Sequence, residues 1–379
     1  VSLEEKHRTE WFAILGEYPD DQKPDPENRL DMETALSGFL GNMWTRSTFP
    51  DIQGVSQAEL ETLLVQYYLN NPDAFGTAML AAMTELADTP GGRRSATRAL
   101  ERLGRLGFPP PSWYGEEMRL VECWEAGDVF GDQRNYLLKF EAPSGDYGVG
   151  YSVEYSEYHF DMVVDAIASF SFDYLLGKFR QRAADLPELF FEPRQVARED
   201  VYLGTRQSLD DWDVFCVDGD PRKLEHRFVM LRQLWKARLR MCPEVEMPGI
   251  NEPGEEELSI FASGFLNHML GKFLLEAEHF EAIRELCWFH GFNGTRVSPL
   301  RAYVFLERYL PSKYEPNDPV VRAVKRLFQP FVEWTADATG VSPAARFYLS
   351  AKTEALLKTF PNWKHQQSDI ARIPRPRTF

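Results

Sequence analysis

The chain has 379 residues, 44% hydrophobic and 26% charged, which fits a globular protein of two or three units and excludes overall disorder. A formal net charge of −16 disfavours non-specific binding of nucleic acid or anionic lipid by the chain as a whole. No apolar run approaches the roughly 20 residues that span a bilayer, and the polar start Ser2-Leu3-Glu4-Glu5-Lys6-His7 shows no secretory signal.

Charge is divided unevenly. Residues 1–220 carry 19 Lys/Arg against 40 Asp/Glu, a net of −21, whereas residues 221–379 carry 23 against 18, a net of +5. The four cysteines, Cys123, Cys216, Cys242 and Cys287, lie far apart and form no C-x-x-C pair. That excludes a disulfide framework and a thiolate zinc site and fits buried thiols in a reducing cytoplasm.

In chain order, Leu3, Trp11, Phe12, Ile14 and Leu15 suggest a short helix, followed by an acidic, proline-containing loop over 16–28. Apolar residues from Leu30 to Trp44 recur at helical spacing. Ser56 with Glu59 is a capping box, so a helix is predicted from there to Leu69. A helix over Asp73–Leu86 follows, and Thr89-Pro90-Gly91-Gly92 breaks it. Another covers Ser95–Leu106, and Gly107-Phe108-Pro109-Pro110-Pro111 closes the first unit, 1–111, a helical bundle.

The second unit, 112–220, reads as α+β. Three strands, Met118–Glu125, Tyr136–Ala142 and Tyr147–Tyr155, are joined by short turns and should form an antiparallel meander. In the third, Val149, Tyr151, Val153 and Tyr155 share a face. Such a meander needs a cover, and the aromatic stretch Phe170–Phe179 is the expected covering helix. Over 188–220 the reading is a short strand at Val201–Leu203 and then a solvated acidic loop holding Asp210, Asp211, Asp213, Asp218 and Asp220.

The third unit, 221–379, is a second helical bundle. Its first helix, Pro221–Met241, lines Leu224, Phe228, Leu231, Trp235 and Leu239 on one side. The remainder is basic: Arg222, Lys223, Arg227, Arg232, Lys236, Arg238 and Arg240. Residues 254–289 form one broken helix or two, with Gly271-Lys272 as the break. Ser298-Pro299, Asp318-Pro319 and Ser342-Pro343 each start a helix with Pro at its first position. Pro311 should stop the first of these at Leu310. Residues 362–379 read as a polar tail. The predicted fold class is mainly α (α+β): two helical bundles flanking a small antiparallel β-meander with a covering helix.

Three short regions resemble uncharacterised bacterial proteins. They are the strand-turn-strand around Phe130-Gly131-Asp132, the His159/Asp161/Asp165 run, and Val297-Ser298-Pro299-Leu300 followed by Phe305-Leu306 and Leu310-Pro311. The resemblance covers less than half the chain and implies no activity and no catalytic residues.

Two groups of residues are candidate sites. His159, Asp161 and Asp165 could hold one divalent ion, or a carboxylate could orient the imidazole as a base, the basis of a metal-assisted hydrolase. The bland alternative is a His–Asp hydrogen bond at a sheet edge. The basic helix is the second candidate. Arg227, Arg232, Lys236 and Arg240 could dock on an acidic protein surface or, as a further alternative, track nucleic-acid phosphates. The bland alternative is neutralisation within the chain. His268, His279 and His290 recur every eleven residues, but on one helix they would stand ~16 Å apart, too far for one ion. Glu276-Ala277-Glu278-His279 has no second E-x-x-H partner for a di-iron site. Nucleophile-elbow and phosphate-loop motifs are absent. The expectation is a non-enzymatic cytoplasmic interaction or scaffold component, with another protein as partner and no cofactor.

Overall fold

The computed structural model describes residues 24–45, 56–154, 162–218, 226–246, 254–270, 276–291 and 296–361. The helix expected over 3–15, the break at Gly271-Lys272 and the tail 362–379 lie outside the described residues.

The described residues open with four helices: α1 Arg29–Thr45, α2 Gln57–Asn70, α3 Ala74–Leu86 and α4 Pro90–Arg105. Each start has a side-chain acceptor for the amides that a first turn leaves open. Asn28 Oδ1 accepts from the Asp31 amide at 3.2 Å, and Asp73 Oδ1 accepts from the Gly76 amide at 2.6 Å. The capping box of Ser56 and Glu59 is present as expected. Helix α4 begins earlier than the apolar spacing suggested. Thr89 Oγ1 accepts from the Gly92 amide at 2.9 Å, and Pro90 takes the first helical position.

The sheet is antiparallel, in the order β4-β3-β2-β1-β5. Its strands are β1 Arg119–Asp128, β2 Gln133–Glu141, β3 Tyr147–Glu154, β4 Met162–Ser169 and β5 Phe190–Gln195. The expected meander is its centre, and β4 and β5 add an edge on each side. Tyr147, Val149, Tyr151 and Val153 point to the main core. On the opposite face, a β-carbon at Gly148 would meet Phe172 and Leu175 at 3.1 Å, so glycine lets helix α5 (Phe172–Asp185) sit directly on the strand. This is the covering helix. Pro193 lies in edge strand β5, where a missing amide is tolerated.

Between β5 and the basic helix the structure corrects the expectation. Val201–Leu203 is not a strand, and the acidic stretch does not begin as a loop: α6 runs Arg198–Asp218. Val201, Thr205, Ser208 and Leu209 are buried at helical spacing, and Asp200 Oδ2 accepts from the Ala197 amide at 3.0 Å at the start. Asp220 lies outside the described residues. Helix α7 follows as His226–Leu239.

The last helices are α8 Glu255–Met269, α9 Ala277–Gly291, a composite α10, α11 Pro319–Ala338 and α12 Pro343–Thr359. Ser298, Asp318 and Ser342 cap α10, α11 and α12 with Pro at the first position, as expected. Pro311 does not end α10. The helix is α over Pro299–Val304, π over Phe305–Tyr309 and α again over Leu310–Lys313. The Leu310 amide reaches the Phe305 carbonyl. A wider turn relieves the clash that proline makes with the carbonyl one turn back, so the helix passes through it.

Buried residues form two main clusters. The first joins α1–α4, one sheet face, α6 and α7. The second joins α8–α12 and takes in Phe130 from the β1–β2 turn. The first bundle and the sheet share one core, and α7 belongs to it. No helix among the described residues is long and apolar enough to cross a membrane.

Candidate functional site: charged seams beneath the basic helix and the hairpin tip

Helix α7 is buried on most of its circumference: Phe228, Val229, Leu231 to Trp235 and Ala237 to Leu239 are all inside. Trp235 stacks on Tyr151 of β3 with centroids 4.1 Å apart and planes at 7°. A helix this enclosed cannot keep its cations in water, so they must find partners inside.

The partners come from the acidic front of the chain. Glu33 of α1, with no exposed surface, receives Arg29 Nε at 2.9 Å and the Nη2 of Arg238. Arg29 Nη2 also donates to both oxygens of Glu85, at 2.7 and 2.8 Å. Arg238 Nε donates to the Tyr147 hydroxyl at 2.7 Å, and its guanidinium lies 5.5 Å from the Phe140 ring centre. Burial pushes the Glu33 carboxyl up, but Arg238 and Arg29 outweigh it and hold the group below the usual range. Burial also drives the Tyr147 hydroxyl far up, so it stays neutral. Every strong acceptor here already faces a cation, so none can act as a base without breaking the seam.

The four cations expected to face a partner have different surroundings. Arg232 is buried with its guanidinium 4.1 Å from the Trp44 ring centre. Lys236 is mostly buried and meets Asp88 Oδ1 at 3.0 Å. Arg240 is exposed and donates to the Glu85 carbonyl. Arg227 is 65% exposed and meets Asp165 Oδ2 at 3.1 Å. Asp165 thus answers to the basic helix, and its Oδ1 accepts from the Ala166 amide at 2.9 Å. His159 and Asp161 lie outside the described residues.

A second polar cluster lies where the β1–β2 turn enters the last five helices. Asp128 shapes the turn, accepting from the amides of Phe130 at 2.7 Å, Asp132 at 3.2 Å and Gln133 at 2.5 Å. Gly131 adopts φ +72°, which favours glycine. Phe130 packs into the second core and stacks on Tyr348 at 6.3 Å. Asp132 Oδ2 accepts from the Leu300 amide at 3.2 Å, the Ser298 hydroxyl bonds the same carboxyl, and Arg296 Nη2 stands 3.5 Å from Oδ1. Arg296 Nη1 donates to the Gly131 carbonyl. Burial pushes the Asp132 carboxyl up to about 6, against the pull of Arg296.

Arg296 is braced from behind. Its amide donates to the His290 carbonyl at 3.1 Å, and its own carbonyl lies 3.3 Å from His290 Nδ1. His290 is fully buried among Phe289, Phe305, Phe328 and Phe331. Burial and the nearby Arg301 keep it neutral.

Among the described residues, one group has metal-ligand spacing: ligand atoms of Glu276, Glu278 and His279 lie within 4.8 Å of one another. His279 Nδ1, however, accepts from the Glu276 amide at 3.1 Å. The group also sits at the start of α9, where helix polarity favours anions over cations.

Sequence reasoning did not single out Glu33, Glu85, Asp88 or Tyr147. The available signal was Glu33 itself, a charge among Leu30, Leu36, Ser37 and Leu40 on the buried side of α1. The chain has no match among protein-family models, among curated proteins or among solved structures.

Proposed function

We propose that this chain is a cytoplasmic protein-interaction component of a larger assembly, without a bond-breaking centre of its own. The observation that carries this reading is a set of large aromatic side chains held outward on ordered elements. Phe170, in the bend between β4 and α5, and Tyr174, in the first turn of α5, are 58% and 59% exposed, and Phe347 on α12 is 77% exposed. Apolar rings kept in water on a folded surface are a common mark of a contact surface.

The partner in this reading is another protein, with acidic character where Arg227 and Arg240 meet it. Arg232, Lys236 and Arg238 support the reading indirectly, by fixing α7 in the core. Their inward direction offers no support for tracking nucleic-acid phosphates.

The test is a pull-down with tagged full-length protein carrying Phe170→Ser, Tyr174→Ser and Phe347→Ser together. Proteins recovered by the wild type should be lost while circular dichroism and Tm stay unchanged. Recovery of the same set by the triple variant would reject these rings as the contact surface.

A further inference from the structure

Among the described residues, every extensive packing between elements falls within the set α1–α7 with the sheet, or within α8–α12. The β1–β2 turn crosses from one to the other, with Phe130 buried in the second core and Leu189 packed against that core. How firmly the turn is seated depends on how well its groups fit.

The fit is good in shape and incomplete in charge. Asp128 and Gly131 preform the turn, so little entropy is lost when it seats. Phe130 finds an aromatic wall. Yet the ion contact of Asp132 Oδ1 with Arg296 is long at 3.5 Å, and burial raises its carboxyl. A buried carboxylate oxygen whose cation stands that far off gives up part of the free energy that the site could supply. A ligand free of the hairpin's geometry could recover that part.

We propose that Arg296, Ser298, the Leu300 amide and Tyr348 form a receptor for protein turns that carry an aromatic side chain two residues before a carboxylate. The Phe130-Gly131-Asp132 tip fills this receptor in cis as a displaceable plug. The inference rests on the reading of the chain as an interaction component, and it gives the acidic partner a specific docking place. His290 is a positioning residue, since it holds the Arg296 backbone from both sides. Because a receptor that is open only part of the time binds with proportionally lower apparent affinity, loosening the plug should strengthen binding in trans.

The experiment uses full-length protein and a fluorescent synthetic peptide with the sequence of residues 127–135, read by anisotropy at neutral pH. Two variants loosen the plug. Phe130→Ala removes the ring. Gly131→Ala adds a β-carbon 3.0 Å from Arg296 Nη1 at a positive φ, without opening a cavity. Each should bind the peptide about tenfold more tightly than wild type, or better. Adding Arg296→Ala should abolish that gain, and so should replacing the peptide's second Asp with Asn.

If Phe130→Ala loses its circular dichroism signal, Gly131→Ala alone decides. Loosened protein that binds no more tightly than wild type overturns the receptor, and so does binding indifferent to Arg296. Either result leaves the interaction reading standing if the Phe170/Tyr174/Phe347 variant has lost its partners. Failure of both experiments removes both.

Discussion

At Glu33 a carboxylate with no exposed surface faces two guanidinium groups, and Tyr147 closes the remaining side. Such a cluster stabilises little against an apolar replacement but is costly to break halfway, because an uncompensated charge stays buried. Glu33→Gln should therefore lower unfolding free energy by about 3–5 kcal/mol in urea titrations. The double variant Glu33→Met/Arg238→Met should recover much of the loss. A single variant within ~1 kcal/mol of wild type would mean that water reaches the seam. Asp132 works in the opposite sense. Its carboxyl is raised to about 6 in the folded chain from an ordinary 3.8, so the folded state holds the proton more tightly than the unfolded one. This contribution is fully present below about pH 4 and is lost as pH rises through about 6, on the order of 3 kcal/mol. Asp132→Asn should remove that part of the pH dependence of stability. A slope unchanged between pH 4 and 7 in the variant would assign it to other groups.

At the scale of elements, what could be read from the chain was whatever is local. Ser56 with Glu59, Asp73, and the Ser-Pro and Asp-Pro starts of α10, α11 and α12 each specify a cap within four residues, and all are present. Thr89-Pro90 carries the same signal, but the two glycines after it suggested a break. They lie in the first turn of α4 beside Glu61, where a β-carbon on Gly92 would meet the carboxylate at 2.1 Å. The alternation of β3 was legible because its inward residues meet one core. What lay hidden depends on distant partners. Helix α6 was obscured by its aspartates, and its burial is defined by the sheet beneath it. Pro311 was read by its local rule, whereas the π turn before it is seated by Phe305 stacking on Phe328 of another helix. The basic helix gave the clearest example. Its composition left an outward docking face and neutralisation within the chain both open, and the partners of Lys236 and Arg238, namely Glu33, Glu85 and Asp88, lie well over a hundred residues away.

At the scale of the molecule, the acidic front and basic rear meet along α7, inside the first core, while the second core takes in the tip of the β1–β2 turn. Local stability should follow that division, since amide exchange reports opening in contiguous units. In Phe130→Ala the second core loses a buried ring and part of its anchor, but the first core loses nothing it contains. Hydrogen exchange followed by mass spectrometry should then show faster exchange over α9 and α11, with α1 and β2 unchanged from wild type. Arg296→Ala should do the same more weakly, because it removes the ion contact and leaves the ring. The expectation follows from the separation of the buried residues into two clusters: separate clusters transmit little destabilisation, whereas one continuous core would share it. Equal acceleration in α1, β2, α9 and α11 would make the two clusters a single cooperative unit. In that case the hairpin tip would be an ordinary part of the core and no plug.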